Sequence, residues 1–281
     1  MDRPPGARDR SIGTSALRRW SDDLAAWRIP DEILARAPEP PWAHPVAVFA
    51  RRADARLERT IGACRRRSIE ALPEAGSVLD VGSGAGAASL PLLARASTLV
   101  AVDADPAMLD ELERRVPKDR TLVRVVGRWP DVAPSVQVTD VAVCAHVPYN
   151  VPDLEPFVRA LHDHARRRVV IEITHAHPTS RLGPLWSRFH GLRRPDRPTW
   201  EDALAAIRSL GIDARAELDT APPDPPAASF DEIVAMTRRR LCLPAERDGE
   251  VGAALREMGY DPAEPMTWTS ERHLCTIWWD R

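Results

Sequence analysis

Residues 76–90 read GSVLDVGSGAGAASL. A short apolar run, Val78 to Val81, leads into Gly82, Gly84 and Gly86 alternating with small residues, and then into a stretch able to form a helix. The run has the length of a buried strand, and the glycines let the backbone turn sharply and a ligand approach where a Cβ would clash. The pattern predicts a turn feeding a helix N-terminus, whose N–H groups and dipole suit carboxylate, ribose or phosphate oxygens. Everything else in the chain is placed relative to this cradle.

Glycine spacing alone does not name the ligand. Gly82, Gly84 and Ala87 also satisfy the dinucleotide pattern G-x-G-x-x-G/A, with Asp103 at a suitable distance downstream. Two features point elsewhere: Asp80 stands inside the strand end before the glycines, and the second strand ends as LVAVDADPAML, with Pro106 and Met108 after Asp103. VLDVGSGAG together with VAVDADPAML resembles the first two motifs of class I S-adenosylmethionine-dependent methyltransferases. The resemblance implies that Asp80 serves the methionine amino end of S-adenosylmethionine and Asp103 its ribose hydroxyls. Gly82, Ser83, Gly84, Gly86, Ala104 and Met108 complete the cofactor-facing set on these two turns.

At 281 residues the chain accommodates one large domain or a core with additions, and folding at this size buries ~75% of the chain's surface. Basic and acidic residues nearly cancel, 39 against 41, which excludes a global field drawing in nucleic acid. Cys64, Cys144, Cys242 and Cys275 stand apart, without the spacing of a zinc site or a disulfide framework. The start is polar and no apolar run approaches ~18 residues, so the sequence predicts a soluble, cytoplasmic protein without a membrane span.

Residues 1–13 read as a frayed tail. Pro45 suits a first helical position, and Val46, Ala50, Ala53, Leu57 and Ile61 then recur at helical spacing, predicting a helix to about Leu72. Its arginines are interleaved with Asp54, Glu58 and Glu70 and read as a solvated face rather than an RNA surface. From 77 onward strands and helices alternate, which predicts a doubly wound, mostly parallel sheet. Strands are expected at 77–82, 98–103, 121–127, 140–146, 168–173 and 212–219, and the last at 272–279. The resemblance implies seven strands in all. Thr199 with Asp202 and Ser229 with Glu232 read as helix-opening caps. The linker APPDPP (221–226) and two helical patterns after it form an insertion of about 221–270 before the last strand. Residues 1–72 then constitute an N-terminal cap, and 73–281 the catalytic domain.

In an open parallel sheet the ligand lies beyond the carboxyl ends of the strands. That places Gly127, Arg128 and Trp129 after strand three, and His146 to Asn150 after strand four, in or beside the cofactor site. The family often has an acid after strand three; here the sequence is GRWPD, and Trp129 is a candidate to stack on adenine or to sit under the loop as core. AHVPYN shares only Pro148 and Tyr149 with the Asn-Pro-Pro-Tyr motif of amino-methylating nucleic-acid enzymes, so that specificity is not supported. His146 and Tyr149 are the candidate catalytic residues, each able to take a proton from an acceptor. After strand five comes a long irregular stretch with His175, His177, Trp186, Phe189 and His190; no third ligand accompanies the two alternating histidines, so no metal is expected. The sequence is thus read as a methyltransferase acting on a small-molecule acceptor. An NAD-dependent oxidoreductase and a non-catalytic S-adenosylmethionine-binding protein are the alternatives.

Overall fold

The computed structural model describes residues 6–42, 46–58, 62–221, 229–260 and 272–281. Four helices come first: α1 (Gly6–Ala25), α2 (Asp31–Leu34), α3 (Val46–Glu58) and α4 (Ala63–Ala71). The alternating portion follows as β1 (Gly76–Val81), β2 (Ala96–Asp103), α5 (Pro106–Glu113), β3 (Thr121–Val126), β4 (Thr139–Ala145), α6 (Leu154–Asp163) and β5 (Ala165–Thr174). It continues with α7 (Gly183–His190), α8 (Trp200–Arg208), β6 (Arg215–Ala221), α9 (Phe230–Arg240), α10 (Asp248–Glu257) and β7 (Arg272–Asp280). The strands form one seven-stranded sheet in the order β3-β2-β1-β4-β5-β7-β6. β7 runs antiparallel to both of its neighbours, and the other pairings are parallel.

Alternation along each strand divides the apolar side chains between two faces, as a sheet covered on both sides requires. Val100 and Val102 join Phe157 of α6, Ile207 of α8 and Trp20 of α1 in one core. Leu99 and Ala101 join Ala53 of α3, Cys64 of α4, and Leu109 and Leu112 of α5 in the other. A third core gathers Ile29, Leu182, Trp186, Val234, Leu241 and Leu255, so the inserted helices pack on the segment after β5 rather than extending the sheet. The anticipated caps are present: Thr199 N donates to the Asp202 carboxylate at 2.8 Å, and Glu232 N to Ser229 Oγ at 3.1 Å.

Several boundaries differ from the sequence reading. The tail expected over 1–13 is already helical from Gly6, because α1 extends a helix anchored by Trp20 and Leu24 in the core. The single helix expected to Leu72 is two, with Gly62 extended before α4 and its donors met by Asp219, whose Oδ2 accepts from Ala63 N at 2.8 Å. Pro45, Ile61 and most of the APPDPP linker lie outside the described residues. No α-helix follows the glycine turn; turns lead to a 3₁₀ segment, Leu90–Ala94, with Pro91 in its first turn. Proline lacks a donor and clashes with the preceding turn, so the short stretch before β2 cannot close an α-helical ladder. The irregular stretch after β5 contains α7, ended by Gly191 in the left-handed region at φ 65°. β6 begins three residues after the expected 212, since Ile212 packs with the α8 side of the core.

Candidate active site

β2, β1, β4 and β5 are adjacent parallel strands with their carboxyl ends at one edge of the sheet, where Phe49 of α3 reaches Gly84 and Arg56 reaches Glu172. Gly82 and Ser83 both donate to Val102 O, at 2.8 and 3.0 Å, drawing the turn over the neighbouring strand. Gly82 has φ +69°, and a Cβ there would lie 2.3 Å from Val147 Cγ2. Only glycine tolerates both the conformation and the approach. At Gly84 the ideal Cβ position is 3.4 Å from the Phe49 ring of α3, so the cradle is roofed by an N-terminal helix.

Asp103 closes the turn. Its Oδ2 accepts from Gly84 N at 2.8 Å and its Oδ1 from Asp105 N at 2.9 Å. An ionised carboxylate accepts about four hydrogen bonds, so capacity remains for a pair of hydroxyl donors. Asp80 is different. It is 1% exposed and neither carboxyl oxygen has a hydrogen-bond partner. Burial pushes its pKa up to about 7; Ser89 opposes this without reaching hydrogen-bond geometry, and the nearby Asp103 charge adds to it. The hydroxyls of Ser83 and Ser89 are also buried without partners. Unpaired buried polar groups cost about 1–3 kcal/mol each, a cost that a polar, cationic group placed against this cluster would relieve. The cluster therefore fits the ammonium end of the methionine moiety of S-adenosylmethionine.

The remaining candidates fall into two sets. Met108, in the first turn of α5, is buried, and the N-cap of that helix, Asp105, accepts from Ala107 N at 2.9 Å, while Ala104 and Arg128 are exposed. Gly127 donates to Asp103 O at 2.9 Å and ties the β3 end to the β2 end. Trp129 turns inward: its Nε1 donates to Phe157 O at 3.2 Å and its ring meets His164 edge-on at 5.0 Å. It is partly buried and packs against the core.

His146 stands at the end of β4 with φ +62°, a conformation costing a non-glycine residue about 1–3 kcal/mol and concentrated at functional sites. Its N donates to Glu172 O at 2.7 Å, and its Nε2 lies 3.2 Å from Glu172 Oε1. The same Oε1 receives Arg56 Nη2 of α3 at 2.6 Å. Burial alone would raise the Glu172 pKa, but Arg56 and His146 outweigh it and hold the carboxyl well below the usual range. Glu172 and Arg56 were not among the sequence candidates. The available signal was a lone acid inside the apolar strand RVVIEI, which a buried strand carries only with a partner.

Tyr149 is not placed as His146 is. Its hydroxyl donates to Thr174 O at 2.9 Å, its ring stacks on Trp20 at 5.7 Å, and burial pushes the phenol well above its usual range. His175 and His177 diverge: His177 stacks on Trp27 at 3.9 Å and burial, with Arg194 nearby, lowers its pKa to about 3, while His175 faces His273. His190 Nε2 pairs with Leu241 O at 2.7 Å, tying α7 to α9. Among the described residues no group of three or more acids, histidines and cysteines could hold a metal ion.

With this geometry in hand, residues 78–168 match the family described as a methyltransferase domain. That stretch is a methyltransferase domain. The matched span begins inside β1 and ends in β5, so it contains the glycine turn, Asp80, Asp103 and His146. Among solved structures, the methyltransferase chain is similar to a cyclopropane-fatty-acyl-phospholipid synthase-like protein from Lactobacillus casei, at 15% identity and TM-score 0.54, covering 89% of this chain and 98% of that one. That likeness establishes the shared fold. It is also similar, at 16% identity and TM-score 0.49, to a methyltransferase from Thiobacillus denitrificans in complex with S-adenosyl-L-homocysteine, over 85% of this chain and 99% of that one. No curated protein sequence matches the methyltransferase. None of its described helices is long and apolar enough to cross a membrane.

Proposed function

We propose that the chain methylates a small-molecule acceptor at the carboxyl ends of β4 and β5, with Asp80 and Asp103 holding the donor and His146 acting as general base. The observation that carries this reading is Asp80: a fully buried carboxylate without a hydrogen-bond partner, set directly before the glycine turn. When bound, S-adenosylmethionine supplies an electrophilic sulfonium methyl. The chain's own residues then orient the donor, place the acceptor at attack distance and exclude water. Asp80 pairs with the donor's amino end and Asp103 accepts from its hydroxyls. His146 takes the acceptor proton as general base. Tyr149 is assigned to packing, because a buried phenol already donating to a carbonyl is poorly placed to accept a proton.

Three covering pieces support a compact acceptor. α3 roofs the glycine turn through Phe49, Arg51 of α3 pairs with Glu232 of α9 at 2.7 Å, and α7, α9 and α10 share one core. Enclosure of this kind suits a small molecule better than a folded RNA or protein. Several arginines of α3 and α4 are committed locally: Arg56 to Glu172, and Arg66 and Arg67 to Glu217. Arginines paired in this way are poorly available to track a phosphate backbone. Four buried free cysteines suit the cytoplasm, where thiols stay reduced.

The test incubates the protein with methyl-labelled donor and fractionated metabolite extracts. Label should appear in a low-molecular-mass fraction; label confined to macromolecules would refute the small acceptor. With the acceptor in hand, His146→Ala should lower turnover about 10²- to 10⁴-fold, and Tyr149→Phe should leave it within a few-fold.

A further inference from the structure

Building on the reading of the chain as a methyltransferase for small acceptors, we propose that Arg65 of α4 is a specificity-determining residue that holds a carboxylate of the acceptor in a small cavity beside His146. The cavity, about 50 Å³, lies between Cys64 and Arg65 at the start of α4, Ala88 after the glycine turn, and His146 and Glu172 toward the carboxyl ends of β4 and β5. That is room for a terminal polar group and not for a whole metabolite. An acceptor whose carboxylate is seated there lies against His146, which lines the same cavity.

Three consecutive arginines stand near the start of α4, and two of them are paired: Arg66 and Arg67 both reach Glu217 of β6. The partly buried side chain of Arg65 makes no ion pair and no hydrogen bond with a described residue, and its Nε is shut off from solvent without an acceptor. A guanidinium is always charged and can only donate, so a buried N–H on it left unmet is costly. The acids around the cavity are engaged with other groups. Glu172 Oε1 accepts from Arg56 Nη2 at 2.6 Å, and Asp219 accepts from Ala63 N and Thr220 N, each at 2.8 Å. Burial pushes the Cys64 thiol well above its usual range, so it adds no negative charge. Arg65 is thus a positive charge at the cavity wall without a described counter-charge. A planar carboxylate matches the planar fork of a guanidinium and bonds it through two oxygens. The positive end of α4, on the same wall, adds to the attraction.

The full-length protein is tested with methyl-labelled S-adenosylmethionine and a metabolite extract divided by anion exchange into retained and unretained fractions. Label should enter low-molecular-mass products of the retained fraction, whether or not that fraction has first been treated with phosphatase. At limiting acceptor, Arg65→Met should lower this labelling about 10- to 100-fold, the effect of losing a charged hydrogen bond. Arg65→Lys should recover part of it. In both variants the Kd for S-adenosylhomocysteine should stay within about twofold of wild type, with an unchanged urea midpoint, which separates recognition of the acceptor from a role in the fold. With the acceptor purified, the Arg65→Met loss should fall in KM rather than kcat. The acceptor's carboxamide should be a poor substrate for wild type and lose little more in Arg65→Met, because both changes remove the same contact. Label entering only unretained compounds, label abolished by phosphatase, or a wild-type KM in Arg65→Met would overturn the role of Arg65 and leave small-molecule methylation standing. Label confined to macromolecules would overturn both.

Discussion

Asp80→Asn separates a carboxylate kept for a ligand from one kept for the fold. In the ligand-free protein Asp80 has its pKa raised to about 7 from 3.8, chiefly by burial. An acid whose native pKa lies above its unfolded value binds its proton more tightly when folded, so stability falls as pH rises through that window. The full penalty, reached above pH 7, is about 3 units at 1.36 kcal/mol each, or roughly 4 kcal/mol as a ceiling. Between pH 5 and pH 8 the share lost is roughly 2–3 kcal/mol by the same conversion. Urea unfolding of wild type and Asp80→Asn at both pH values reads the difference, with the other titrating groups cancelling between the two proteins. Wild type should lose this amount relative to the amide variant, which cannot ionise. Saturating S-adenosylhomocysteine should shrink the wild-type loss, since its ammonium favours the ionised carboxylate, while Asp80→Asn should bind that ligand at least tenfold more weakly. Parallel pH profiles for the two proteins without ligand would refute the claim that Asp80 is an unpartnered buried carboxylate.

Three further outcomes are expected. Asp103→Ala should weaken S-adenosylhomocysteine binding about ten- to a hundredfold by calorimetry, charged hydrogen bonds contributing ~1.5–3 kcal/mol, and should also loosen the turn that Gly84 N and Asp105 N close upon it. Gly82→Ala should destabilise by roughly 2 kcal/mol or more in urea unfolding, and Val147→Ala in the same chain should recover part of the loss, because the clash is with Val147 Cγ2. Trp129→Phe should leave ligand affinity within about threefold while costing ~1 kcal/mol of stability for the lost bond to Phe157 O; a tenfold loss of affinity would return Trp129 to the adenine.

The parts of the fold visible in the sequence are those governed by local rules. Asp80 before the glycines, the alternation of strands and helices, and the caps at Thr199 and Ser229 each depend on residues a few positions apart. What stayed hidden depends on partners far along the chain. Glu172 looks like one polar residue in an apolar strand, and its meaning comes from Arg56, 116 positions away, and from His146 on the neighbouring strand. The packing of Trp129 needs His164 and the Phe157 carbonyl, which no spacing rule connects to GRWPD. α7 was the exception, since Leu182, Leu185, Trp186 and Phe189 already had helical spacing, with Pro184 at the start and Gly191 at the end. The helix wrongly expected after the glycine turn carried its own contradiction in Pro91.

α3 contributes little apolar bulk to the body: Ala50 and Ala53 are its buried side chains, with Phe49 partly covered over Gly84. Its holds are instead charges: Arg51 to Glu232 on the insertion, Asp54 to Arg115 beyond α5, and Arg56 to Glu172 on the sheet. The first two of these pairs are partly exposed, so dissolved ions compete with them, whereas apolar contacts are little affected by moderate salt. The grip of α3 on its neighbours is therefore partly ionic. Raising salt should speed the exchange of bound S-adenosylhomocysteine while leaving the sheet's own unfolding nearly unchanged, which divides the molecule into a salt-tuned door and a salt-indifferent room.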